Sequence, residues 1–356
     1  MKTVRLGELV ELKYGKALPK AKRSGEGVPV VGSSGIVGYH KIGIIEGPVV
    51  VIGRKGSIGS VTFVESSCWP IDTAYYVSPR SSAVYPKWLF HLLRYLPLEK
   101  MNKSAAIPGL NRDDVYNLSV PDQPLDEQRR IARTLDRVAN LMDAARSMIQ
   151  RFSLLRDIEL GNAFRNAEYE EVTLGEVAEW GSGGTPRRGN PEYFGDGTPW
   201  LSISDLNDGI VYEAKESLTP AGIDHSSAKV VPPGTVFIAM YGSIGKLGVA
   251  GKEMCTSQAI AFARPHSDAL DRDYLFYYLL YQRPVLIGLG RGGTQSNIGQ
   301  KDLKNLSIPL PPLEEQRRLC GKFNYIDSKK NDAVETLNRI SGLFSALQYR
   351  AFRGEL

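Results

Sequence analysis

Residues 117–131 read NLSVPDQPLDEQRRI and residues 305–319 read NLSIPLPPLEEQRRL, a near copy displaced by 188 positions. Pro124 and Pro312 suit a first helical position, where a missing N–H costs nothing. Acidic residues follow at once (Asp126 and Glu127; Glu314 and Glu315) and complement a helix dipole. Beyond them Ile131, Leu135, Val138, Met142, Ala145, Ile149 and Phe152 recur by fours and threes. Leu319, Phe323, Ile326, Lys330, Ala333, Leu337, Ile340, Phe344, Leu347 and Ala351 repeat that phase. Seams sustained over several heptads predict two long helices, 124–165 and 312–356, packed on each other as a coiled coil. Arg156 and Lys330 interrupt the seams at non-equivalent places.

The same duplication extends over the rest of the chain. Residues 4–11 (VRLGELVE) match 172–179 (VTLGEVAE) at an offset of 168, and GSIG at 56–59 recurs at 242–245 at an offset of 186. Ala163-Phe164-Arg165 matches Ala351-Phe352-Arg353, again at 188. Repeats in one order over nearly the whole length mark a tandem duplication. The growing offset places about eighteen extra residues of the second copy within 180–238, where GSGGTPRRGNPEYFGDGTPWLSISDLNDG reads as a Gly-rich loop. Ahead of each helix, in 1–123 and 166–311, short β-type runs (GPVVVIG, GTVFIAM) alternate with Gly/Ser/Pro turns. One helical stretch interrupts each (PKWLFHLLRYL, RDYLFYYLLYQ), its aromatics reading as core. The expectation is an α/β (α+β) globular domain in each copy. From Ala163 to Leu174 is 11 residues, and from Ala351 through the chain ends to Leu6 is also 11. The chain would then close as a ring with a pseudo-two-fold axis, antiparallel helices and neighbouring termini. Helices of that length, at 1.5 Å per residue, would hold a domain at each end of a spacer of about 60 Å.

At roughly 150 residues per domain, 356 residues suggest two or three domains. A hydrophobic fraction of 42% and a charged fraction of 23% describe an ordinary globular protein. No run of eighteen apolar residues occurs and MKTVRLGELV lacks a signal-peptide core, so a cytoplasmic location without membrane association is expected. Cys68, Cys255 and Cys320 lie far apart and the four histidines show no ligand spacing, which argues for reduced thiols and against a metal site. A net charge of +5 permits a polyanion partner without demanding one. No GxxxxGKS/T, HExxH or GxSxG string is present. GRKGSIG and AMYGSIGKLG read as turns between strands, and Asp205 and Asp208 as turn or cap residues. No catalytic or metal-binding residue is expected.

What remains are polar and basic clusters on loops: Lys20, Lys22 and Arg23; Arg54, Lys55 and Ser57; Thr185, Arg187 and Arg188; Tyr241, Ser243 and Lys246; and Arg291, Gln295 and Asn297. Lys, Arg, Ser and Thr hold DNA phosphates, while Arg or Lys reads guanine and Asn or Gln reads adenine in the major groove. Any one of these cations reads equally as a solvated surface charge. Their paired placement around both GSIG strings favours a binding role.

The motifs V-x-L-G-E-[LV], G-S-I-G and N-L-S-[VI]-P-x-x-P-L-x-E-Q-R-R, each occurring twice, with the final A-F-R-G-E-L, resemble the specificity subunit of type I restriction–modification systems. The resemblance covers essentially the whole chain. It implies two target recognition domains joined by two antiparallel conserved helices, each domain reading half of a bipartite, asymmetric double-stranded DNA sequence. It also implies that the helices set the gap between the halves and dock two modification subunits. Those partners would bind S-adenosylmethionine and methylate adenine N6, and restriction subunits would use ATP and Mg to translocate and cut. The chain itself would bind no cofactor and supply no catalysis. From the residues alone a second possibility stays open, a coiled-coil scaffold that binds protein or another polyanion with no DNA sequence preference.

Overall fold

The computed structural model describes residues 2–101, 109–165, 168–290 and 297–356. The chain divides into two compact units, residues 1–147 with 334–356, and residues 148–333. Both helices expected from the heptads form, as Leu125–Arg165 and Leu313–Arg353, 41 residues each. Each unit therefore owns the start of one long helix and the end of the other.

In the first unit the strands are β1 (Thr3–Arg5), β2 (Val10–Tyr14), β3 (Val28–Gly32), β4 (Gly35–His40), β5 (Val49–Gly53), β6 (Val61–Val64), β7 (Trp69–Pro70), β8 (Ala74–Pro79) and β9 (Ser119–Pro121). They build an antiparallel sheet in the order β2-β8-β5-β6, a three-stranded sheet β4-β3-β7 and a β1–β9 pair. The GPVVVIG run becomes β5, an inner strand with every residue buried. A strand buried on both faces reads as a continuous apolar run, and its alternation divides the side chains between two cores. Val50 and Ile52 join Leu6, Trp88 and Leu92, the last two from helix Pro86–Tyr95. Val49 and Val51 join Val31, Cys68 and Ala74 instead.

The second unit repeats this plan with β10 (Glu171–Thr173), β11 (Ala178–Ser182), β12 (Phe194–Leu201), β13 (Ile210–Val211), β14 (Glu216–Leu218), β15 (Val236–Ala239), β16 (Leu247–Ala250), β17 (Cys255–Thr256), β18 (Ile260–Pro265) and β19 (Ser307–Pro309). Its main sheet runs β11-β18-β15-β16-β13, beside a β14-β12-β17 sheet and a β10–β19 pair. β15 divides its side chains as β5 does: Val236 and Ile238 meet Tyr274 and Tyr278, while Phe237 and Ala239 meet Leu201 and Met254. The fifth strand, β13, is the addition. It pairs parallel to β16, Ile210 opposite Val249 and Val211 opposite Ala250, and lies where the second copy is longer. The segment read as a Gly-rich loop thus supplies strand as well as turn, because β12 lies within it and buries Trp200 and Leu201, and just beyond it Val211 packs with Leu206 and Phe237.

The seam residues are buried or half-buried throughout. In the first unit Ile131, Leu135 and Val138 share a core with Phe344, Ala351 and Phe352, and Met142, Ile340 and Leu347 pack at its edge. In the second, Leu160 and Phe164 pack with Cys320 and Phe323, and Leu319 packs at the edge. Within each unit the helix segments run antiparallel. In the second, for example, Arg156 pairs with Asp327 at 3.3 Å, while the later Phe164 meets the earlier Phe323 at 6.2 Å between ring centroids. The aromatic helical stretches are core, as expected: Trp88, Tyr274, Tyr277 and Tyr278 are all buried.

Candidate nucleic-acid interface

The duplicated EQRR string positions each globular part on its long helix. Gln128 and Gln316 are buried polar residues, 4% and 0% exposed, and every polar atom of each amide is used. Gln128 Oε1 accepts from the Tyr85 amide (2.7 Å), and its Nε2 donates to the carbonyls of Ala83 (3.0 Å) and Gln123 (2.8 Å). Gln316 repeats this with the Asp271 amide (2.8 Å) and the carbonyls of Ala269 (2.9 Å) and Pro311 (2.8 Å). Each amide ties the start of a long helix to the loop entering the helix of the same globular part, Pro86–Tyr95 or Arg272–Leu289. The flanking charges stay outside. Arg130 holds Glu127 at 2.7 Å and Arg318 holds Glu315 at 2.6 Å, and these guanidiniums keep both carboxyls below the usual range.

The two GSIG strings are turns, between β5 and β6 and between β15 and β16. Gly56, Gly59, Gly242 and Gly245 all have positive φ, from 61° to 79°, a conformation open to glycine at no steric cost. A Cβ on Gly59 would also stand 2.5 Å from the backbone of Leu98. In each copy a later segment bonds to the residue just ahead of the GSIG-bearing turn: the Leu110 amide donates to Arg54 O (2.9 Å) and the Ile298 amide to Met240 O (3.0 Å). Tyr241 and Asn297 face each other in an antiparallel bridge. Both are exposed, as is Ser243, so these three candidates come together, while Lys55 and Ser57 are exposed on the first turn.

The other candidates divide by what they touch. Lys20 and Lys22 are exposed on a single 3-10 turn, and Arg187 is exposed with no side-chain partner among the described residues. Arg23 is half-buried and donates to the carbonyls of Leu18 (3.2 Å) and Val37 (2.8 Å). Lys246 donates to Ile203 O at 3.2 Å, and the Thr185 hydroxyl bonds to Gln258. Arg188 is bidentate to Glu216 (2.5 and 2.9 Å) and lies over the rings of Phe194 and Trp200, at 4.8 and 5.0 Å. That pairing holds the Glu216 carboxyl below its usual range. Arg291 and Gln295 lie outside the described residues. Asp205 caps Ser202, accepting from its amide at 2.8 Å. Asp208, at φ 57°, accepts from the Leu247 amide at 2.9 Å and both its oxygens bind Arg283.

Arg112 and Tyr14 extend the first site beyond the sequence-derived set, which already held Arg54. Arg54 sits 5.1 Å from the Tyr14 ring centroid, and Arg112 sits 4.8 Å from the same ring. One sequence signal lay near it: at the 188 offset Arg112 matches Gln300, the last residue of GRGGTQSNIGQ (290–300), the string that holds the candidates Arg291, Gln295 and Asn297.

Arg156 and Lys330, which interrupt different helices at different repeat positions, line one cavity of about 640 Å³ in the second unit. Arg156 pairs with Asp327 and Arg283 with Asp208 there, and Lys330 has no carboxylate partner among the described residues. The 188 offset puts Phe344 and Met142 at the matching places of the first unit, so the ionic pocket belongs to one copy alone. All three thiols are buried, and burial pushes Cys68 and Cys255 up to about 11. Among the described residues no three His, Cys, Asp or Glu side chains converge as a metal-ligand set, and no helix is long and apolar enough to cross a membrane.

A family model described as the type I restriction modification DNA specificity domain matches residues 1–150 and 166–339. The chain is 26% identical over 270 residues to the putative type I restriction enzyme MjaX specificity subunit of Methanocaldococcus jannaschii, covering 70% of this chain and 63% of that protein. It is 27% identical over 270 residues to the EcoR124I/EcoR124II specificity subunit of Escherichia coli, covering 71% of this chain and 66% of that one. The match thus spans just under two thirds of either relative. The S subunit of a type I restriction-modification system from M. genitalium shares the fold, with a TM-score of 0.68 at 16% identity over 99% of this chain and 96% of that one. A chain solved in work on complex assembly and conformational transition of the type I R-M system gives a TM-score of 0.63 at 25% identity, covering 100% and 98%.

Proposed function

The chain belongs to the family defined by the type I restriction–modification DNA specificity domain, and we propose that it is the sequence-reading subunit of such an enzyme. In this proposal 1–123 and 166–311 are target recognition domains, each addressing half of a bipartite, asymmetric DNA target. The stretches 124–165 and 312–356 set the gap between the halves and dock two modification subunits. Those subunits carry S-adenosylmethionine and methylate adenine N6. Restriction subunits using ATP and Mg complete a cytoplasmic assembly to which this chain contributes no catalytic group. One observation carries the proposal: the same sheet-and-turn plan occurs twice with different side chains on its exposed turns, Lys55 in the first copy where the second has Tyr241 facing Asn297. Among the described residues an added strand occurs in only one copy. Two unlike surfaces on one chain suit an asymmetric sequence, whereas a symmetric dimer reads a palindrome.

The test is adenine methylation mapping in a host expressing this chain with its modification subunit. The expected result is one methylated motif of two short defined blocks around a fixed gap. A modification subunit verified as active that yields no motif would overturn the reading in favour of a scaffold without DNA sequence preference.

A further inference from the structure

Arg54 and Arg112 in the first unit differ from the well-placed arginines of the second. In the second unit Arg188 pairs with Glu216, Arg264 with Glu179 and Arg283 with Asp208. Neither Arg54 nor Arg112 has a carboxylate partner among the described residues. Arg54 Nη2 donates to the main-chain carbonyl of Asp72 (2.8 Å), and among the described residues Arg112 Nη1 reaches only the carbonyl of Leu12, at 3.5 Å. Arg54 Nε is buried with no acceptor among the described residues. Both guanidiniums lie against the ring of Tyr14, a residue 51% exposed, and Arg54 also lies 5.8 Å from the Tyr75 ring. Burial above all, then a hydrogen bond with Tyr14, pushes the Tyr75 phenol up to about 12, so it stays neutral and supplies no counter-charge.

Two like charges on one ring repel each other, and contact with an aromatic face offsets only part of that. An anion would relieve it. The guanidiniums are half-buried and held by ring and carbonyl contacts, so they present fixed planar donor forks and do not reach freely into a groove. Fixed forks match the oxygens of a phosphate, the commonest partner of side chains that set register on DNA. Lys55 and Ser57 stand exposed on the adjoining turn and could extend the contact along the same strand.

We propose that Arg54 and Arg112, set against Tyr14, grip a DNA backbone phosphate beside the bases addressed by the first unit. The proposal rests on the DNA-reading function above and adds a division of labour: this cluster fixes register and contributes affinity, and other side chains choose the bases.

The experiment measures binding of the chain, assembled with its modification subunit, to duplexes with and without the methylated motif over a range of salt. Arg112→Gln is expected to weaken binding to both duplexes alike, by roughly 3- to 10-fold, and to lower the slope of log affinity against log salt by about 1. The methylated motif should stay the same. Arg112→Lys keeps the charge and should retain most of the slope, which separates a phosphate contact from a loss of folding. An unchanged slope and affinity in Arg112→Gln would overturn the proposal, and so would a changed base preference in one half of the motif. If the wild-type assembly shows no preference between the two duplexes, it is the DNA-reading function itself that fails.

Discussion

Gln316 has no exposed surface and spends its whole amide on the main chain, so shortening it strands three backbone groups at once: the Asp271 amide and the carbonyls of Ala269 and Pro311. Each buried group left unsatisfied costs about 1–3 kcal/mol, less what an entering water recovers. Gln316→Ala should therefore destabilise the second unit by about 2–4 kcal/mol, read as a shift in its urea unfolding midpoint. A loss below about 0.5 kcal/mol would mean the clamp is dispensable. The repetition of EQRR was legible in the sequence, but its meaning was not. The Gln partners lie up to 47 positions away, and no local pattern separates a buried amide from a solvated one. His91 is the other informative side chain. It is 1% exposed, with Nε2 2.7 Å from Asp136 Oδ1. Burial lowers its pKa below the ordinary 6.5, and Arg94 and Lys87 push the same way, while the Asp136 hydrogen bond and charge oppose them. The unfolded chain then binds the proton more readily than the folded one. The stability this contributes is whole above about pH 6.5 and is lost as pH falls below it, by at most about 1.4 kcal/mol per pH unit. His91→Gln should flatten the drop in the unfolding midpoint between pH 7 and pH 5.5, and a parallel drop in both proteins would assign it to other groups.

The long helices show how far periodicity carries and where it stops. Their apolar phase is local information, and it located both helices and the buried seam from Ile131 to Val138. It also singled out Arg156 and Lys330 as irregular. Only the antiparallel pairing within the second unit brings those two to one cavity, because repeat positions match within a helix and not across a pair. The same limit hid β13. Its two residues form no recognisable run, and they become a strand because β16 offers an edge. The phase can be tested directly. Leu135 has no exposed surface and Leu154 is 62% exposed on the same helix. Leu135→Ala should cost about 2–5 kcal/mol, and Leu154→Ala should stay within about 0.5 kcal/mol. Equal costs would refute the seam as the stabilising face.

Because each unit completes its own core, base choice should be separable by copy. The first unit closes on Gln123, whose Oε1 accepts from Trp88 Nε1 and whose Nε2 donates to Ala351 O, both at 2.8 Å. The Gln128 clamp and Phe352 close the same core. A replacement for residues 1–123 must therefore keep a donor for the helix-end carbonyl of Ala351 and the loop that Gln128 ties down. With those kept, a related domain in place of 1–123 should change one block of the methylated motif and leave the other block intact. The affinity of the chimera should follow the first unit's cations. Its salt dependence should fall if the donor lacks counterparts of Arg54 and Arg112, since Arg188, Arg264 and Arg283 of the second unit already hold carboxylates and have less charge to give a phosphate. Methylation mapping of the chimera reads the first outcome and salt titration of its DNA binding reads the second. A change in both blocks would mean that the copies do not read independently, and the modular account of the duplication would then have to be abandoned.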